Sequence, residues 1–408
     1  MQEASLPLSG VRVLDLSTVV AGPYGSEILG HLGADVIRVE PPPAEAPWPP
    51  RARGEGVAEA EGFTFALQRN KSGLCLDLKS KEGVAAFHAL VKVSDVVYDN
   101  FRAGVLKRLG LDYASLKSVN PKIICCSITG FGSEGPWAEV GAYDVAVQAL
   151  SGSMSITGTG ETDSLPCRWG VPVGDIAAGM YAVIGILAAL EERDRNGAGQ
   201  AVEVSLLDGQ LALNTYRVPQ AFGAGIDFGV PSPRRGGAGA VPYGPFQCGD
   251  GAWLVIAVAS NFWKAFTVAL NEPSWLTDKR FVTLKDRQAN QSALDALIEA
   301  KLRERPAAEW EAILIERGVP CGRVNSIAEA LEQPQAAARG MCVTFADQGG
   351  RVVAAAGSPL RFVGEGAFPQ RPPVARGADS GKSLRKAGFS DEQIAALKAA
   401  GATDGADL

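Results

Sequence analysis

The chain has 408 residues, a formal net charge of −6 and 46% hydrophobic residues, an ordinary globular composition that excludes disordered and fibrous classes. Only two histidines occur, His31 and His88, which argues against a histidine-rich metal centre and restricts any Ser-His or Cys-His machinery to those two. The acidic balance argues against a nucleic-acid partner, because a phosphate-neutralising face carries a basic excess.

Val11 to Ser17 (VRVLDLS) predicts a buried strand, and Gly22-Pro23 opens a helix through Leu32 that stops at Gly33. Ala34 to Glu40 (ADVIRVE) predicts a second strand, ended by Pro41-Pro42-Pro43. Two strands joined by a helix form a β-α-β unit, which implies a parallel pair. Pro41 to Gly62 reads as an exposed excursion. The alternation resumes with a strand at Leu74 to Leu78, a helix at Lys81 to Val93, and strands at Asp95 to Asn100 and Ile123 to Thr129. A long helix at Ile176 to Arg193 and a strand-like run at Ala201 to Leu206 follow. This order predicts an α/β fold with a Rossmann-like large domain, its parallel sheet covered on both faces.

The texture changes after about Gln220. Gly223 to Gly239, rich in glycine, proline and arginine, reads as a loop. Tyr243 to Gln247 and Trp253 to Ala259 flank Cys248-Gly249-Asp250-Gly251, a hairpin signal. Helices are predicted at Phe262 to Leu270, Ser292 to Arg303 and Ala307 to Arg317, giving a smaller α+β domain. Short strands return at Val352 to Ala355 and Leu360 to Val363, and a capping box, Ser390 to Gln393, opens a last helix. No apolar run reaches the ~18 residues of a membrane span; the nearest is Ile176 to Leu190. The N-terminal MQEASLPLSG lacks the pattern of a signal peptide, so a cytoplasmic protein with no membrane partner is expected. The seven cysteines, none in a CxxC, read as reduced and buried small hydrophobes.

Gly22, Gly25 and Gly30 do not make G-x-G-x-x-G and no P-loop occurs, which argues against NAD. His31, at a helix end, and His88, beside Phe87, read as packing residues. Asp175 precedes the long apolar helix and reads first as its N-cap. The same place gives it a chemical reading. The helix dipole would keep the carboxylate ionised, and Gly174, Ala177, Ala178 and Gly179 leave room for a bulky partner. An ionised carboxylate in a crevice can attack an activated acyl group. Arg38, Lys79, Asn100-Phe101-Arg102 and Arg108 lie at or just beyond strand ends, where an open α/β sheet binds ligands, and suit anionic phosphates. Taken singly, each also fits a solvated surface.

Several runs together resemble class III CoA-transferases: LSGVRVLDLS (Leu8 to Ser17), VAGP (Val20 to Pro23), LGADVIRVE (Leu32 to Glu40), NKS (Asn70 to Ser72) and LDLK (Leu76 to Lys79). VGD (Val173 to Asp175), NGAGQAVEVSLLD (Asn196 to Asp208) and GVPC (Gly318 to Cys321) add to the likeness. That family includes formyl-CoA and carnitine-type transferases and is related to α-methylacyl-CoA racemase.

The resemblance implies an interlocked homodimer, each chain a ring threaded through its partner. It implies a large CoA-binding domain of residues 1–200 with 330–408, a linker helix over 201–224 and a small α+β domain over 225–329. It makes Asp175 the nucleophile and maps CoA contacts onto Val20, Ala21, Leu76 to Lys79, Asn100, Phe101, Arg102, Arg108, Tyr143 and Asp144, with Arg38 near the adenine side. Coenzyme A enters as substrate, within an acyl-CoA, and no metal or NAD is expected. A glycine loop over the site has an approximate counterpart in Gly236, Gly237 and Gly239. Arg168, with Arg217, Arg234 and Arg235, is available to clamp a second carboxylate, which favours a dicarboxylic acceptor such as succinate.

Two departures matter. Val20 stands where a transferase of the family has glutamine, and Tyr143 stands where the racemases have histidine. A tyrosine titrating near 10 is a poor proton acceptor at neutral pH, so transfer is expected over racemisation. A CoA-binding protein without catalysis is the other alternative.

Overall fold

The computed structural model describes residues 6–42, 57–159, 165–224, 240–346, 352–362, 368 and 370–408. In chain order the elements are β1 (Arg12–Asp15), α1 (Ala21–His31), β2 (Asp35–Glu40), α2 (Val57–Leu67), β3 (Lys71–Cys75), α3 (Lys81–Lys92), β4 (Val96–Asp99), α4 (Val105–Leu109) and α5 (Tyr113–Val119). β5 (Ile124–Thr129), α6 (Asp144–Leu150), α7 (Val173–Asn196), β6 (Ala201–Ser205), α8 (Leu206–Leu213) and α9 (Arg217–Ala224) follow. Next come β7 (Ala240–Gln247), β8 (Trp253–Ala259), α10 (Trp263–Ala269), α11 (Leu284–Ala289), α12 (Gln291–Leu302), α13 (Ala307–Glu316), β9 (Cys321–Arg323) and α14 (Ile327–Glu332). The chain finishes with α15 (Pro334–Ala338), β10 (Cys342–Ala346), β11 (Val352–Ala356), α16 (Ser380–Lys386) and α17 (Asp391–Ala399). Two compact units result: residues 1–154, 168–224 and 334–408 form the larger, and 155–167 with 225–333 the smaller.

The larger unit is built on a six-stranded sheet in the order β3-β2-β1-β4-β5-β6, with every pair parallel. This is the doubly wound order. The chain builds outward from β1 in one direction, then restarts at β4 on the other side, leaving a crevice at the carboxyl ends of β1 and β4. Strand residues alternate between two buried faces. Val13, Tyr98 and Cys126 enter a core with Ala178, Ala182 and Ile186 of α7, while Leu14, Val97 and Cys125 enter another with Phe87 of α3 and Leu384 and Ile394 of α16 and α17. The adjacent Cys125 and Cys126 therefore serve opposite faces. Cys75 and Cys248 are buried as well, but Cys167 and Cys342 are exposed, which corrects the expectation of uniformly buried thiols.

β3 is the open edge of this sheet, and a distant segment covers it. The Gly73 and Cys75 N–H groups donate to Asp379 Oδ2 (3.0 Å) and Ser380 Oγ (3.0 Å), and Thr403 Oγ1 donates to the Cys75 carbonyl (2.7 Å). An edge strand with its donors satisfied in this way offers no template to a foreign strand.

Other elements differ from the sequence reading. β3 begins at Lys71, not Leu74. Ala201–Ser205 is the sixth strand, as the strand-like run at Ala201 to Leu206 suggested, but two helices follow it where the resemblance implied one linker helix over 201–224. Leu360 to Phe362 form no strand; β11 pairs instead with β10, which the sequence reading did not anticipate. α7 begins at Val173 and not Ile176, and it holds an 18-residue stretch of mean hydropathy 1.9, half of it buried within the chain. By length and composition alone this helix could cross a membrane, which the shorter run read from the sequence could not.

α7 crosses α1 very closely. A Cβ on Gly179 would lie 2.6 Å from the Ala21 carbonyl oxygen, and one on Gly25 would lie 2.9 Å from the Gly179 carbonyl oxygen. Only glycine permits that approach. In the smaller unit, β7, β8 and β9 form an antiparallel sheet packed against α10, α12 and α13, with the expected hairpin at its centre.

Candidate active site

The site begins where β1 ends. Asp15 is fully buried, and its Oδ1 accepts from the Ser17 N–H (2.9 Å) and Ser17 Oγ (2.5 Å). Its Oδ2 accepts from Ser26 Oγ (2.5 Å) and from Lys71 Nζ (3.1 Å). Lys71 also donates to the Pro23 carbonyl (3.1 Å) and to Ser26 Oγ (2.8 Å). The turn from β1 into α1 is thus fastened from below by a buried ion pair.

The same turn is gripped from the side. The Asn100 side chain accepts from the Thr18 N–H (2.8 Å) and donates to the Thr18 carbonyl (2.7 Å), joining the exits of β1 and β4. The next residue, Val19, is held at φ 69°, a left-handed conformation that costs a β-branched side chain energy. Asn100, expected as a CoA contact, spends its amide on this clamp. Val20 and Ala21 follow, buried, at the start of α1.

Asp175 lies across the α1–α7 crossing, one turn before Gly179. Its placement corrects two expectations. It is not the N-cap: Pro172 holds that position, and Asp175 is the third residue of α7. The cap comes from outside the helix. Asp144 Oδ1 accepts from the Gly174 N–H (2.6 Å) and the Asp175 N–H (3.4 Å), taking over donors that the first turn leaves free. Nor does the helix dipole decide the charge of Asp175. Burial first, and the neighbouring Asp144 carboxylate second, push its pKa up to about 7. Desolvation and a like charge outweigh the modest effect of the helix terminus.

Asp144 is itself buried in a polar cradle. Gln148 Nε2 donates to its Oδ2 (2.5 Å) and Gln210 Nε2 to its Oδ1 (3.4 Å). Gln148 Oε1 in turn accepts from the Trp169 N–H (2.9 Å). Sequence reasoning missed both glutamines. The available signal was an amide set in an otherwise apolar helix, Gln148 one turn after Asp144.

The structure thus brings Thr18, Val20, Ala21, Asn100, Asp144 and Asp175 to one end of the sheet. Arg102 joins them through its guanidinium, which lies against Gly141. Phe101 packs into the core beside Leu14 and Phe87. Tyr143 stands 82% exposed. Arg38 lies within β2, and Leu76 and Lys79 lie just beyond the end of β3, with no described contact to Asp175. Arg38 is buried, paired with Glu40 (2.8 Å) and donating to the Val374 carbonyl (3.2 Å). Leu76 is core, while Lys79, Arg108 and Arg168 are exposed. Gly236, Gly237 and Gly239, with Arg234 and Arg235, lie outside the described residues. His31 is buried against Glu27 and Arg69, and burial lowers its pKa to about 4. Among the described residues no group of three or more His, Cys, Asp or Glu side chains is placed to hold a metal ion.

A carboxylate at the switch point of a doubly wound sheet, flanked by small residues, suits acyl chemistry. The family model for CoA-transferase family III matches residues 8–380. The chain belongs to CoA-transferase family III. It is accordingly an acyl-CoA:carboxylate CoA-transferase. It is 35% identical over 384 residues to acetyl-CoA:oxalate CoA-transferase of Acetobacter aceti, covering 93% of this chain and 95% of that one. It is 37% identical over 364 residues to succinate–glutarate CoA-transferase of Agrobacterium fabrum, covering 87% and 89%. The crystal structure of a CAIB/BAIF family protein from Brucella suis superposes with a TM-score of 0.81 at 32% identity, covering 94% of this chain and all of that one.

Proposed function

We propose that this family member moves CoA from an acyl-CoA donor to a dicarboxylic acid through an aspartyl-CoA thioester on Asp175. One observation carries the reading: Asp175 stands at the crevice end of the sheet, on a helix turn held by Asp144. The Asp175 carboxylate attacks the donor thioester carbonyl, forming a mixed anhydride and releasing CoA thiolate. The thiolate attacks the aspartyl carbonyl of that anhydride, giving the aspartyl-CoA thioester and freeing the donor acid as its carboxylate. The acceptor carboxylate attacks the aspartyl thioester, forming a second anhydride and releasing the thiolate again. The thiolate then takes the acceptor acyl group, and Asp175 returns to its carboxylate form. Covalent storage divides one difficult exchange into easier steps.

A carboxyl group titrating near 7 makes a more basic, and so more nucleophilic, carboxylate than an ordinary aspartate, provided it is ionised. Hence kcat/KM for the donor is expected to rise with pH and level off above about pH 7. Hydroxylamine or borohydride, added during turnover with a panel of donors and acids, is expected to mark Asp175 in a peptide mass spectrum. An adduct elsewhere, or none, would refute the nucleophile. The dicarboxylic acceptor is supported by the acids in the names of the relatives, and Arg168 precedes Trp169, whose N–H donates to Gln148. Turnover confined to monocarboxylic acids in the same panel would overturn it.

The transferase reading includes a homodimer. α7 presents Met180, Ile184 and Leu187 as one exposed stripe, with Ile184 60% exposed, and Phe222 of α9 is 90% exposed. A second copy covering this face would remove an apolar surface that monomers rarely leave open. Light scattering after gel filtration is expected to give twice the chain mass, and Ile184→Asp to weaken the assembly. A monomeric wild-type chain at micromolar concentration would contradict this.

A further inference from the structure

We propose that Gln210 is a positioning residue of the transfer reaction: it seats the Asp144 carboxylate against the first turn of α7 and so fixes where Asp175 stands. The proposal rests on Asp175 being the nucleophile. Gln210, on α8, is completely buried. An ionised carboxylate only accepts hydrogen bonds, so the amide must turn its Nε2 toward Asp144 Oδ1 (3.4 Å). Its Oε1 then faces the hydroxyls of Ser151 (3.1 Å) and Ser153 (3.2 Å), which can only donate to it. The two serines are also within hydrogen-bond distance of each other (2.9 Å). The network therefore has a direction, from the α6 end through Gln210 to Asp144 and on to the Gly174 and Asp175 backbone.

Gln210 is a steric seat as well. A Cβ at Gly174 would lie 2.4 Å from Gln210 Nε2 and 2.8 Å from Asp144 Oδ1, so the first turn of α7 rests directly on both groups. Burying a primary amide in a core is costly unless its donors and acceptors are used, and here they are used on the residue that holds the catalytic turn. Gln148 secures the other carboxylate oxygen, which leaves Gln210 to orient the oxygen that touches α7. Among the described residues, Asp144 is the charge that acts on Asp175. The amide dipole of Gln210 partly offsets that charge.

Two variants test this. Gln210→Met keeps the length and fills the core but removes the donor. It is expected to lower kcat at least tenfold, with KM for the acyl-CoA within threefold of wild type. It is also expected to move the acid limb of kcat/KM to higher pH, because Asp144 then acts on Asp175 without its partner. Asp144→Asn keeps an oxygen for the Gly174 N–H but removes the charge, and is expected to move the limb to lower pH. Should Gln210→Met not fold, Gln210→Asn, whose amide is too short to reach, is expected to give the same changes. A folded Gln210 variant with wild-type kcat and an unmoved limb would overturn the proposal, as would an unmoved limb in Asp144→Asn. If the wild-type chain forms the Asp175 adduct and these variants behave as wild type, this proposal alone fails. If the wild-type chain forms no adduct on Asp175, the nucleophile assignment fails instead.

Discussion

Asp175→Asn is expected to abolish CoA transfer and, at pH 8, to raise the denaturant midpoint of unfolding. The first effect is loss of the attacking oxygen, and removing a nucleophile costs roughly a thousandfold or more in kcat. The second follows from the proton balance. The folded chain holds the Asp175 proton up to about pH 7, while an unfolded aspartate releases it near its ordinary value of 3.8. Between those pH values the folded state binds more protons, so ionisation of Asp175 costs increasing stability as pH rises from 4 to 7, and the full cost applies above 7. At about 1.4 kcal/mol per pKa unit, and allowing for solvent that reaches the half-buried side chain, the cost is on the order of 2–3 kcal/mol. Asparagine has the same shape without the charge. Its gain in urea unfolding at pH 8 should be about twice its gain at pH 5. A variant that keeps wild-type turnover, or is less stable at both pH values, would contradict the nucleophile or the buried-charge argument respectively. Comparable strain stored at functional sites is usual, because the chemistry needs a group that the fold would prefer neutral.

Lys71→Met is expected to destabilise the larger unit by about 3–5 kcal/mol, the usual cost of leaving one member of a buried ion pair alone. Lys71 and Asp15 are both almost fully inaccessible, so water cannot replace the lost partner. Burial already works against the lysine's charge and lowers its pKa, with Asp15 opposing that effect. The double variant Asp15→Asn, Lys71→Met removes both charges and should recover most of the loss, since the hydroxyls of Ser17 and Ser26 remain to satisfy asparagine. Denaturant unfolding of the two single variants and the double variant measures the coupling. Additive losses would mean that the pair is not a unit.

Much of the large unit was legible because its strands are apolar runs bounded by proline, glycine or a capping residue. Where the reading slipped, a long-range contact was responsible. Lys71 looks like a loop residue until Asp15, 56 positions away, neutralises it, and β3 consequently starts earlier than its apolar residues suggest. β10 and β11 are short and half-exposed, so pairing defines them more than pattern does. Asp175 could be singled out as a residue, but not its environment. Its cap is Asp144, 30 residues from Gly174, and its seat includes Gln210, 66 residues from Asp144. Local sequence carries the propensity of a helix to need a cap, not the address of the group that supplies it.

The seal on β3 has a consequence for synthesis. Gly73 leaves the ribosome 306 residues before Asp379, the residue that accepts its N–H. At roughly 5–20 residues per second, the sheet's outer strand waits about 15–60 s with its backbone donors open. During that interval the nascent β-α-β units present an unprotected strand to neighbouring chains on the same message. The late segment is therefore the closing piece of the first domain to emerge, and the yield of folded enzyme depends on how well the cell shields that strand until it arrives.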